Sequence, residues 1–131
     1  MAANEKILKA LKSAITYLDN SMLAVGKKDE NPLEYSVWRV AAELEYALFL
    51  FSITVQNETD KTKWKLNPKL KKVEVGPTLV TVRDLLNEAE ESMRNEKLID
   101  AYRSAYIARH YILNIQKEFA RKKREALKKK K

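Results

Sequence analysis

Residues 31–55, NPLEYSVWRVAAELEYALFLFSITV, decide the fold. They open on Asn31-Pro32-Leu33-Glu34, which combines a capping side chain, a proline at the first helical position where its missing N–H is no loss, and a carboxylate at the third. The pattern predicts a helix from here to about Val55. Between Leu44 and Ile53 it is apolar nearly all round (Leu44, Tyr46, Ala47, Leu48, Phe49, Leu50, Phe51, Ile53), as expected of a central helix surrounded by others.

Upstream, Asn4 and Glu5 suit the start of a first helix. Ile7, Leu8, Leu11, Ile15, Leu18, Met22 and Val25 recur every three or four residues and draw one apolar stripe. Gly26 and the polar residues 27–30 end it. Downstream, Asn57-Glu58-Thr59-Asp60 is a turn cluster, and residues 57–77 read as a long loop with room for a short hairpin at 61–66. Thr81 and Asp84 form a candidate capping box for a third helix, which carries Val82, Leu85, Leu86, Ala89 and Met93. Arg94-Asn95-Glu96 is a tight turn. A fourth helix then presents Leu98, Ala101, Tyr102, Ala105, Ala108, Ile112, Ile115 and Phe119, and so short a turn predicts antiparallel packing.

The expected fold is therefore all-α: a four-helix bundle with a long basic loop between helices 2 and 3 and a basic helical tail at the C-terminus. A bundle domain at 1–116 and a tail at 117–131 are the expected units. The 131-residue length suits one domain with a real core, and only two glycines and three prolines interrupt helix-forming sequence. Without cysteine, the chain has no disulfide, iron–sulfur or cysteine-nucleophile chemistry. Its longest strongly apolar run, Ala47 to Phe51, is far below the ~20 residues of a membrane span. The N-terminus runs straight into amphipathic sequence, so no secretory signal is expected.

Charge is concentrated at one end. Residues 117–131 hold nine Lys/Arg and two Glu, whereas residues 1–116 hold seventeen cations against sixteen acids. Clustered cations release counterions when they meet a polyanion, so the tail is a candidate for sequence-independent contact with phosphates. The candidate contacts are Arg121, Lys122, Lys123, Arg124, Lys128, Lys129, Lys130 and Lys131. Glu118 and Glu125, four residues ahead of Lys122 and Lys129, favour continuation of helix 4 into the tail. A second basic segment, Lys61 to Lys72, carries six lysines and no acid. Within it, Lys61, Lys63 and Lys65 flank Trp64, an aromatic able to stack on a base. A tryptophan folded back onto the bundle is the plainer account of that segment.

Enzymatic signatures are missing: the sequence has no phosphate-cradling glycine loop, nucleophile elbow or metalloprotease helix. Glu88, Glu90, Glu91 and Glu96 form an acidic stretch, but one histidine in the chain rules out a carboxylate-bridged di-metal bundle, which needs Glu-x-x-His twice. No catalytic residue, metal or cofactor is therefore expected. Tyr35, Tyr46, Tyr102, Tyr106 and Tyr111 read as half-buried positions whose hydroxyls reach water or a neighbouring subunit.

Arg103 and His110, seven residues apart on one face of helix 4, resemble the Arg-x4-6-His signature of HEPN-domain ribonucleases. That resemblance implies an arginine and a histidine serving RNA cleavage within a dimer. A plain exposed or interface role for the pair is preferred. The lysine-rich helical character, the lack of cysteine and the Arg121 to Lys131 tail together resemble the small basic virion structural proteins of viruses infecting hyperthermophilic archaea. This resemblance implies a helical virion component without enzymatic activity, located in the virion, or in the cytoplasm if the chain is cellular. The expected partners are copies of itself or other virion proteins, and nucleic acid, with DNA favoured over RNA, held without sequence preference. The alternatives are a HEPN-like RNA-cleaving or RNA-binding protein using Arg103 and His110, and a small accessory subunit of a nucleic-acid-processing complex.

Overall fold

A computed structural model describes residues 2–28, 30–55 and 74–129. These form four helices: α1 (Ala2–Lys27), α2 (Glu30–Thr54), α3 (Val75–Arg94) and α4 (Leu98–Lys129). The all-helical expectation holds for the described residues, and the tail continues α4 without a break to Lys129. The expected basic loop and hairpin between helices 2 and 3 fall outside the described residues.

Helix starts differ from the sequence reading. α1 begins at Ala2 and α2 at Glu30, so Asn4 and Asn31 lie inside first turns rather than at caps. α3 begins at Val75, six residues before Thr81. Pro77 is tolerated because the amides of a first turn have no helical partner to lose. Burial of Leu79 rewards the extra turn. The Thr81 hydroxyl donates to the Pro77 carbonyl at 3.3 Å instead of forming the expected capping box. α1 passes through Gly26 and stops at Lys28, which takes the left-handed conformation at φ 56°. The α3–α4 turn is a Schellman motif: Lys97 N–H donates to Ser92 O at 2.8 Å and Glu96 N–H to Met93 O at 3.2 Å. Glu96, at φ 61°, holds the left-handed position that glycine usually occupies.

The helices pack as a ring. α1 touches α2 and α3, and α4 touches α2 and α3, leaving α1 and α4 on one diagonal and α2 and α3 on the other. Cross-helix contacts give the directions. Val25 lies against Gly76, and Asp19 pairs with Arg83, so α1 and α3 are antiparallel. Glu34 pairs with Lys123 and Glu45 with Arg109, so α2 and α4 are antiparallel as well. The α3–α4 turn adds the antiparallel pair expected from sequence. Two αα hairpins thus lie side by side, joined by one crossover between opposite ends of the bundle.

The core runs down the axis of the ring. Ile7, Leu11 and Leu18 meet Val37, Val40, Leu44 and Phe51, with Leu79, Val82 and Leu86 opposite and Ile112 and Ile115 closing it. Phe51 stacks on Tyr102, rings 5.2 Å apart and 5° from parallel. Ala101, Ala105 and Ala108 present small buried surfaces on α4, which let the neighbouring helices approach closely. Each large side chain buried here contributes roughly 1.5–3 kcal/mol.

α2 is not the enclosed helix its apolar composition suggested. A ring of four helices has no central position, so α2 buries one side and exposes the other. Tyr35 (59% exposed), Trp38 (56%), Tyr46 (48%), Phe49 (59%) and Ile53 (60%) face outward. Among the expected half-buried tyrosines, Tyr106 and Tyr111 are so placed, Tyr102 is fully in the core, and Tyr35 and Tyr46 are exposed.

Candidate polyanion-binding face

α4 is the longest helix, 32 residues and ~48 Å from end to end. Its inner stripe, Ala105, Ala108, Ile112, Ile115 and Phe119, faces the core. Stepping by three and four residues along the opposite side gives Arg103, Tyr106, His110, Lys117, Arg121, Arg124 and Lys128. Arg121, Arg124 and Lys128 of the tail and the Arg103/His110 pair, separate features in the sequence, therefore share one outer face.

Pairing decides which charges on this face are open. Arg121 is held by two carboxylates of its own helix: its guanidinium donates to Glu118 and, at 2.7 Å, to Glu125. These contacts, Glu118 foremost, raise its pKa above the usual arginine value. Lys123 reaches across to Glu34 at 2.7 Å. Lys117, Lys122, Arg124 and Lys128 close no ion pair among the described residues, and all four are exposed. Arg103 also closes none, but it shares a shallow cleft with Glu88, Glu91 and Asp100. The field along α4 thus grows more positive from Arg103 toward Lys128.

His110 lies in the middle of the face with its ring 4.7 Å from that of Tyr106, edge to face. Burial, then Arg109, then Lys117 lower its pKa, so it is held toward the neutral form. All the charges that shift it are cationic, and a phosphate arriving on this face would reverse their effect.

Behind the tail, Phe119, Lys122, Lys123 and Ala126 line a cleft of about 430 Å³ against Ala24, Val25, Leu33, Glu34 and Val75. Its lining mixes apolar side chains with Lys28, Lys122, Lys123 and Glu34.

Of the residues singled out from sequence, Arg121, Lys122, Lys123, Arg124 and Lys128 lie on the described part of α4, with Lys129 its last residue. Lys61, Lys63, Trp64, Lys65, Lys130 and Lys131 lie outside the described residues. Lys117, at the start of the basic segment, and Tyr106 join this face although neither is among the candidate contacts named from sequence. Counting back from Arg121 in helical steps would have found both. No described helix is long and apolar enough to cross a membrane. No protein-family profile matches the chain, and neither the curated proteins nor the solved structures contain a match to it.

Proposed function

We propose that this chain is a non-enzymatic structural and assembly protein that holds a nucleic-acid backbone, duplex DNA first among them, along the outer face of α4. The observation that carries the reading is the alignment of Lys117, Arg124 and Lys128 on one side of one unbroken helix, none of them in an ion pair among the described residues, with Arg103 further back on the same side. Duplex DNA carries one charge per about 1.7 Å of axis, so a line of cations meets a line of phosphates without reading sequence. The resemblance to virion proteins of archaeal viruses supplies a setting: the polyanion is a packaged genome, and the other partners are virion proteins or copies of the same chain.

Gel-shift titration of duplex DNA across salt concentrations tests this. About five phosphate contacts give a log–log salt slope of roughly −4 to −5. Replacing Lys117, Arg124 and Lys128 together by glutamine should flatten that slope by about 3. An unchanged slope would exclude the α4 face.

One observation favours a second reading. Arg103 and His110 share the face with Tyr106 between them, about 10 Å apart along the axis. Cleavage of single-stranded RNA, abolished in both Arg103→Ala and His110→Ala, would select it over the structural reading.

A further inference from the structure

The exposed apolar stripe of α2 is symmetric in position about Ala42. Trp38 and Tyr46 stand four residues to either side of it, and Tyr35 and Phe49 seven. A helix face that reads the same outward from its middle in both directions is complementary to itself when the second helix runs antiparallel. From this we infer that a second copy of the chain docks here, α2 against α2, across a two-fold axis at Ala42.

In that register Trp38 lies level with the partner's Tyr46, and Tyr35 with the partner's Phe49. Ala42, the one small side chain in the series, sits where the two helices come closest, so no bulk holds them apart. Charge along the seam is balanced. Arg39 and Glu43 occupy the same flank, 3.6 Å apart. The two-fold sets each Arg39 within about one helical turn of the partner's Glu43, so the order along the seam is Arg39, the partner's Glu43, Glu43, the partner's Arg39, with the two carboxylates between the two guanidinium groups. The Arg39 Nε is buried and has no hydrogen-bond partner among the described residues. Antiparallel order also keeps the basic tails apart. Each tail passes the N-terminal turns of its own α2, where Lys123 meets Glu34, and the axis puts the two Glu34 positions roughly 24 Å apart along the seam. A parallel pair would place tail beside tail and drive like charges together.

The area is sufficient. Four aromatic rings and Ile53, each about half exposed or more, offer on the order of 500 Å² per copy. The pair then buries on the order of 1,000 Å², the lower bound for a stable interface.

This inference goes beyond the proposed polyanion binding and is tested without nucleic acid. The chain has no cysteine, so single introduced thiols report register cleanly. Under mild oxidation Ala42→Cys should form a covalent dimer, whereas Tyr35→Cys or Phe49→Cys alone should not. A mixture of those two should cross-link. Analytical ultracentrifugation of the unmodified chain should show a dimer, and Trp38→Ser should weaken it roughly tenfold or more, with helicity by circular dichroism unchanged. A monomer at every concentration would overturn the inference, whether residues 56–73 or nothing at all covers the stripe. So would an Ala42→Cys protein that cross-links no better than Phe49→Cys alone.

Discussion

The Lys123 ammonium lies 2.7 Å from the Glu34 carboxylate and so ties the basic end of α4 to the first turns of α2. The contact fastens the tail to the body, and it also withdraws one cation from any outside anion. Glu34→Gln separates the two roles. It should cost less than about 1 kcal/mol of stability, because Lys123 is largely exposed and Glu34 only partly buried. It should also tighten DNA binding and steepen the salt slope by up to about one unit. A thermal melt and a gel shift on the same preparation check both.

Position along α4 should matter for binding. Arg124→Gln removes an open cation, while Arg103→Gln removes one that already shares a cleft with Glu88, Glu91 and Asp100. The first should weaken duplex DNA binding several-fold at low salt and the second by less. Equal losses would mean that the field does not strengthen toward the tail.

The core prediction concerns Phe51 and its stacked partner Tyr102. Phe51→Ala leaves a cavity at a fully buried position and should cost about 3–5 kcal/mol by urea denaturation, while Phe51→Leu should cost much less. The first loss is a large share of the roughly 5–15 kcal/mol of an ordinary domain, so a much lower urea midpoint is the expected result.

For His110 the sign follows from its lowered pKa. The unfolded chain binds a proton near pH 6.5 and the folded chain only at lower pH, so acid favours unfolding. Its contribution to stability is complete above about pH 6.5 and is lost as pH falls through that value toward the folded pKa. His110→Gln should therefore melt with less dependence on pH between 7.5 and 5 than the parent protein. DNA lying on the face should draw a proton onto His110, so binding of the parent should strengthen over the same range and that of the variant should not.

Glu96 offers a stabilising change. It holds a left-handed conformation that strains any residue with a Cβ. Glu96→Gly relieves that strain but loosens the unfolded chain, leaving a net gain of about 0.5 kcal/mol. A small upward shift in melting temperature is the readout.

Helix number, the antiparallel α3–α4 hairpin and the inner stripe of each helix were legible because apolar residues recur at intervals of three and four. Helix starts were less legible. The Thr81–Asp84 pattern looks like a cap, yet packing of Leu79 draws α3 back through Gly76 and Pro77. The role of α2 was misread for a different reason. Apolarity all round a helix marks surface destined for burial, but it does not say whether the cover comes from the same chain. On α4, the cations were evident as a cluster. Among the described residues, their division into paired (Arg121, Lys123) and open (Lys117, Arg124, Lys128) depends on where Glu34, Glu118 and Glu125 come to rest.

Ile115 in the interior and Arg124 in solvent belong to the same uninterrupted α4. A duplex laid along the charged side is consequently coupled to the melting of the whole fold, and occupancy should raise resistance to heat. On the proposed binding, the duplex would follow the long axis of the bundle, so successive molecules along one strand would be laid down at a common tilt, like slats.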